Sequence, residues 1–248
     1  NTQAAAIFQT AAGMGETSTF NGVLSESGGG DRLLILYDSA RFESLDEFEL
    51  TDINVGGNVR APLVAHLRDR ASGQEFFFMV NHLHRGNTYA RYQQARMLND
   101  WAEQSSLPVI AVGDYNFDYE VINGDVDHDL GFDYMTEDHV FEWVRPAFLV
   151  RTQCSVLPDQ TCEFNSVLDF VFVSGAIQSW AANSEIIVTP GDLPDNADTS
   201  DHRPLRVQFK IPAASPAAPP IDKQQILDRI AQIEQELADL REMVEQLP

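Results

Sequence analysis

The sequence predicts an α/β sandwich: two packed β-sheets of mainly antiparallel or mixed pairing, flanked by helices and followed by a C-terminal coiled-coil helix. Three observations predict it. Short apolar stretches with strand patterning recur through the first 210 residues, one clear amphipathic helix interrupts them, and an apolar heptad follows a proline-rich break near the C-terminus. The 248 residues therefore divide into a body over 1–210, a Pro/Ala linker over 211–221 and a helix over 222–248. A hydrophobic content of 44% suits a buried core.

The expected strands are "RLLILY" (Arg32–Tyr37), "APLVAHL" (Ala61–Leu67), "EFFFMVN" (Glu75–Asn81), "PVIAV" (Pro108–Val112), "LDFVFV" (Leu168–Val173) and "PLRVQF" (Pro204–Phe209). In the last, Leu205, Val207 and Phe209 alternate with Arg206 and Gln208, as a strand with one buried face requires. The helix runs from about Thr88 to Gln104 and sets Ala95, Leu98, Trp101 and Ala102 on one side. "IPAASPAAPPI" (Ile211–Ile221) has neither period and reads as a semi-rigid linker.

Beyond it, Ile226, Ile230, Ile233, Leu237, Leu240, Val244 and Leu247 recur at spacings of four and three, which is a heptad seam. With Ile230, Leu237 and Val244 at a positions, Arg229 faces Glu234 and Glu236 faces Arg241 between parallel chains. Both contacts attract. The alternative, a helix folded back on its own body, gains nothing from those charges. Leu227 and Met243 widen the stripe, so the expectation is self-association as anything from a dimer to a tetramer.

The formal charge is -22, and Lys210 and Lys223 are the only lysines. Such acidity favours solubility, hints at a saline or extracellular setting and argues against a broad basic groove for nucleic acid. A local arginine cluster could still dock a polyanion, because distant exposed acids are screened beyond roughly 10 Å at 0.1 M salt. No apolar run reaches the ~18 residues of a membrane span. The opening "NTQAAA" lacks the basic and apolar regions of a secretory leader, which leaves room for a leader removed upstream. Cys154 and Cys162 in "TQCSVLPDQTC" match no zinc spacing; a disulfide is preferred over two buried thiols and points to a secreted, extracellular or periplasmic protein.

The chemistry-bearing residues sit at strand ends. "PVIAVGDYNFDY" breaks at a glycine and at once presents Asp114, Asn116 and Asp118, and residues two apart on a strand share a face. An Asx-rich turn explains that stretch alone. But "FMVNHLHRGN" ends a strand at His82 and His84, "NSVLDFVF" sets Asp169 within one, and "TSDHRPLRV" places Asp201 and His202 just before one. "NGDVDHDLGFD" alternates Asp125, Asp127 and Asp129 but lacks the glycine and glutamate placement of a calcium loop; it reads as a solvated acidic loop, with adventitious Ca2+ as the alternative. Gly28–Gly30 lacks a following lysine and helix and reads as a loop.

The ordered set "NHL", "GDYN", "LD" within an apolar strand and "SDHRPL" resembles the endonuclease/exonuclease/phosphatase superfamily of deoxyribonuclease-like enzymes, from about Asp31 to Phe209. The resemblance implies a sandwich of the deoxyribonuclease-like type and a metal-dependent phosphoesterase, most simply a phosphodiesterase or nuclease using Mg2+ or Mn2+. A phosphomonoesterase or sphingomyelinase-like enzyme on the same fold and a catalytically impaired binding or structural module are the alternatives. It implies roles for individual residues. His82 would bind the scissile phosphate and assist protonation of the leaving oxygen. Asp114 would orient or deprotonate the attacking water and help hold metal, while Asn116 stabilises phosphoryl charge. Asp169 would hold the tautomer of His202, the base or phosphate ligand, and Asp201 would coordinate the metal. Arg60 in "VRAP" would contact substrate phosphate, and Asp31 would support the first histidine. An asparagine on the first strand and a metal-binding glutamate in a "QE" pair, part of the superfamily's pattern, have no counterpart here, so the expectation is either that the chain begins just past them or that another acid, such as Glu16 or Glu26, has taken over.

Overall fold

The computed structural model describes residues 2–14, 19–57, 59–154, 157, 159, 161, 162, 164–193, 200–213 and 223–245. In chain order its elements are α1 (Thr2–Ala12), β1 (Phe20–Leu24), β2 (Leu34–Asp38), β3 (Phe42–Glu49), β4 (Leu63–Asp69), β5 (Glu75–His82), α2 (Thr88–Glu103), β6 (Val109–Glu120), α3 (Leu130–Thr136), β7 (Phe141–Trp143), β8 (Ser166–Ser174), β9 (Ala182–Ile186), β10 (Leu205–Phe209) and α4 (Lys223–Glu245). The chain divides into two compact units, 1–212 and 213–248.

The continuous apolar run of "PVIAV" is explained by a sheet buried on both faces. Six strands lie in the order β3-β4-β5-β6-β8-β7, with β5 and β6 parallel and the other neighbours antiparallel. A parallel neighbour needs a crossover, and α2 supplies it. Asn87 caps that helix by accepting the Ala90 N–H, and its Ala95, Leu98 and Ala102 pack with Met79, Val109, Ala111, Phe170 and Phe172 on one face of the sheet. The intervening residues Phe76, Ile110, Val171 and Val173 bury the other face against Val23, Leu33, Ile35 and Trp180. Strand periodicity thus splits one apolar run between two cores.

The expectation of two packed sheets holds only in part. Opposite the large sheet stand two separate antiparallel ladders, β1 with β2 and β9 with β10. Among the described residues no strand lies between them, so β2 and β10 each keep one open edge. The gap is a groove of about 830 Å3, floored by Leu67, Phe76, Phe78, Ile110 and Val112 and walled by Ile35, Tyr37, Leu205, Val207 and Phe209.

The helix α4 covers most of the heptad segment, and its Ile230, Ile233, Leu237 and Leu240 are about half exposed. Leu247, most of the expected linker and Glu16 lie outside the described residues.

Candidate active site

Three neighbouring strands assemble the site. In the parallel ladder His82 of β5 stands beside Asp114 of β6, and in the antiparallel ladder Asp114 stands beside Asp169 of β8. The break at Gly113 has a steric cause. Its φ is +138°, and a Cβ there would fall 2.0 Å from the Asn81 carbonyl oxygen, so only glycine lets β6 pass β5 at this point.

After Asp114 the β6–β8 register jumps to Tyr119 beside Val167. Asn116 and Asp118 take positive φ of 55° and 42° inside this irregularity. It sends Tyr115 and Phe117 into the aromatic core with Phe170 and Phe172 and folds Asn116 inward at 4% exposure. The Asn116 N–H donates to Asp114 Oδ1 at 3.0 Å, and its Nδ2 donates to the Leu83 carbonyl at 3.2 Å. Regular strand alternation therefore does not describe this pair; a bulge does.

The fourth part arrives from the segment before β10. His202 Nδ1 lies 2.8 Å from Asp169 Oδ2, while its Nε2 lies 3.9 Å from Asp114 Oδ2 and 4.0 Å from Asp201 Oδ2. His82 Nε2 lies 3.4 Å from the same Asp114 oxygen. Asp114 Oδ2 thus sits between two imidazoles. His82, Asp114, Asn116, Asp169, Asp201 and His202 meet at one end of the sheet although they are spread over 121 positions of the chain. His84 is different: it bonds to the Val55 carbonyl at 2.9 Å and has a structural role.

Burial and the Asp169 charge push the Asp114 carboxyl up to about 7. Burial, helped by the Arg60 and His202 charges, lowers His82 to about 4. For His202 burial works against charge, but the Asp169 hydrogen bond and charge, with Asp114 and Asp201 behind them, raise it to about 9. The two histidines are thereby driven apart. Between about 7 and about 9 His82 is neutral, His202 is an imidazolium and Asp114 is ionised.

Arg60 belongs to the same neighbourhood, since burial lowers its pKa while the Asp114 charge opposes that. Asp31 pairs with Arg60, which places its carboxylate on the arginine. Of the acidic loop, Asp125 bonds Tyr119 and Arg145, and Asp129 pairs with Arg91 while capping α3. Cys154 and Cys162 are joined by a disulfide. Sequence reasoning missed Arg85, whose charge is felt at His82 and Asp114, and Thr152 and Gln153 beside the histidine segment. Arg85 was visible in "NHLHRGN"; nothing local marks the other two.

No protein-family model matches the chain, and no curated protein matches it by sequence. Solved structures do. An endonuclease/exonuclease/phosphatase family protein from Bacteroides thetaiotaomicron aligns at TM-score 0.58 and 18% identity, over 81% of this chain and 76% of that one. The chain has the endonuclease/exonuclease/phosphatase fold. A mannosyl-6-phosphatase of the same bacterium aligns at TM-score 0.56 and 17% identity over 84% and 82%. D. rerio TDP2, solved with a single-strand DNA product, aligns at 0.59 and 15% over 83% and 81%.

Among the described residues no three acidic, histidine or cysteine side chains form a closed metal cage, Glu26 included. Magnesium and manganese are commonly held by one or two carboxylates, with water and substrate oxygens completing the shell. Asp114 and Asp201 lie 3.9 and 4.0 Å from the same His202 nitrogen and are the carboxylates available for such a role.

Proposed function

We propose that this chain is an exported hydrolase of phosphoric esters that acts on a phosphodiester such as nucleic acid. The observation that carries this reading is Asp114 Oδ2 lying within 4 Å of two imidazoles whose charges the site sets differently. Water attack on phosphorus needs a proton acceptor, a sink for charge on the phosphoryl oxygens and a donor for the leaving oxygen. Ionised Asp114 takes the water proton. The His202 imidazolium, held at Nδ1 by Asp169, neutralises a phosphoryl oxygen and has the proton that a departing oxygen requires. His82, uncharged, has a single N–H, and it offers that N–H to the phosphate. Arg60 and Asn116 complete the polar wall, and a Mg2+ or Mn2+ at Asp201 and Asp114 would add Lewis-acid stabilisation of the same oxygens. Export is supported by the disulfide and by the strongly acidic composition.

The test is turnover of supercoiled plasmid, bis-p-nitrophenyl phosphate and p-nitrophenyl phosphate with magnesium, manganese or a chelator. Expected is metal-stimulated diester hydrolysis that falls by a factor of about 100 or more in Asp114→Asn and His202→Ala. Equal rates in those variants, or no turnover of any substrate, would overturn the reading. A phosphomonoester substrate is the second reading, favoured by the net charge of -22, which disfavours a long polyanion. Faster turnover of the monoester than the diester selects it.

A further inference from the structure

Asp169 and His202 form the pair that charges the site, yet they come from different layers. Asp169 lies in β8 of the six-stranded sheet, and His202 precedes β10, which ladders with β9. Thr152 links the two. It is fully buried at 0% exposure, and its Oγ1 accepts the Leu168 N–H at 2.9 Å and the Asp169 N–H at 3.2 Å. Its own N–H donates to the Ser166 carbonyl at 3.1 Å, and its carbonyl accepts the Arg203 N–H at 2.8 Å. One residue is therefore bonded on its β8 side to the carrier of the carboxylate and on its other side to the residue after the imidazole.

We propose that Thr152 is the positioning residue of the Asp169–His202 pair, its hydroxyl fixing the Asp169 backbone and its carbonyl fixing the His202 segment. The need arises in β6. Where the bulge after Asp114 interrupts the β6–β8 ladder, β8 loses regular strand partners around Leu168. A hydroxyl has two lone pairs and accepts both N–H groups there, a task no apolar side chain of the same shape performs. Neighbouring residues reinforce the link: Gln153 bridges to His202, and the Cys154 N–H donates to the Asp201 carbonyl at 3.2 Å. Catalytic groups held by such partners lose rate when displaced by fractions of an ångström, which is why supporting hydrogen bonds matter to the chemistry and not only to the fold.

This role rests on the hydrolase reading for its kinetics but not for its geometry, so two readouts are used on the full chain. The first is kcat and KM on bis-p-nitrophenyl phosphate with manganese. The second is the downfield imidazole N–H resonance of the His202–Asp169 hydrogen bond, assigned by its loss in His202→Gln. Thr152→Val is expected to lower kcat by about 10- to 100-fold with KM within about twofold, the range seen for outer supporting residues, and to shift or erase the resonance. Thr152→Ser, which keeps the acceptor, is expected to restore both. A folded Thr152→Val with the kcat and resonance of the parent overturns the proposal. So does a Thr152→Ser that loses as much as Thr152→Val, because methyl packing would then be the cause. If Thr152→Val does not fold, Thr152→Ala takes its place. If neither folds, amide exchange in the unaltered protein decides: Leu168 and Asp169 as slow as Phe170 supports the bonds, and loop-like exchange overturns them. Absence of turnover in the parent chain sinks the hydrolase reading alone, since the resonance still reports on Thr152.

Discussion

At the scale of single residues, Gly113 has no substitute. Alanine there meets the Asn81 backbone at 2.0 Å in a left-handed conformation, and neither the parallel ladder nor the adjacent Asp114 can move aside. Gly113→Ala is expected to destabilise the chain by about 3–5 kcal/mol in urea unfolding, a size reserved for clashes and strain in a packed core. The titrating residues make a second prediction. Hydrolysis should rise as Asp114 ionises through about 7 and fall as His202 loses its proton through about 9, and Asp169→Asn should move the alkaline limb to lower pH. Stability follows a different curve. Between about 4 and 6.5 native His82 binds fewer protons than the unfolded chain and native Asp114 more, so their slopes oppose. From 6.5 to about 9 native His202 binds more, so stability falls as pH rises through that window. Melting temperature against pH, compared with His202→Gln, reads this slope; an unchanged slope in the variant would contradict the assignment.

At the scale of elements, what the sequence disclosed follows burial. The strands β4, β5, β6 and β8 were legible because both faces are covered and their apolar runs are long, and α2 because its cap and apolar face agree. The strand β3, "FESLDEFE", escaped because it is an edge strand whose acids face water, and β7 escaped because it is three residues long. The site residues were legible as polar groups closing apolar strands. The inward turn of Asn116 was not, because a positive φ at a non-glycine residue is imposed by the tertiary ladder on either side. The same applies to Thr152, a plain threonine until β8 and the histidine segment lie on either side of it. Next to it, the disulfide closes a short loop whose Cys154 holds the Asp201 backbone. Replacing both cysteines by serine is expected to cost about 2.5 kcal/mol from chain entropy. Turnover per folded molecule should fall as well, because the histidine segment loses one anchor; urea midpoints and active-site-normalised rates separate the two effects.

At the scale of the whole molecule, the described residues include two apolar surfaces of different kinds: the groove between the β1–β2 and β9–β10 ladders of the first unit, and the half-exposed stripe of Ile230, Ile233, Leu237 and Leu240 on α4 of the second. Their consequences differ. An apolar groove with open strand edges binds small apolar probes in a single copy of the chain, whereas a helix of 23 residues exposing an apolar seam is marginal alone and gains order when it meets another. The seam, with Arg229 set to face Glu234 and Glu236 to face Arg241, predicts parallel self-association through α4, and the acidity of the chain predicts that such association strengthens as salt screens like charges. Light scattering on the intact chain and on a chain ending at Pro212, the limit of the first compact unit, measures this. The intact chain is expected to run as a dimer to tetramer and the shortened one as a monomer that still enhances the fluorescence of an apolar dye. Two monomers would refute the seam. An oligomeric shortened chain would move the interface to the groove, where open edges of β2 and β10 from neighbouring copies could pair.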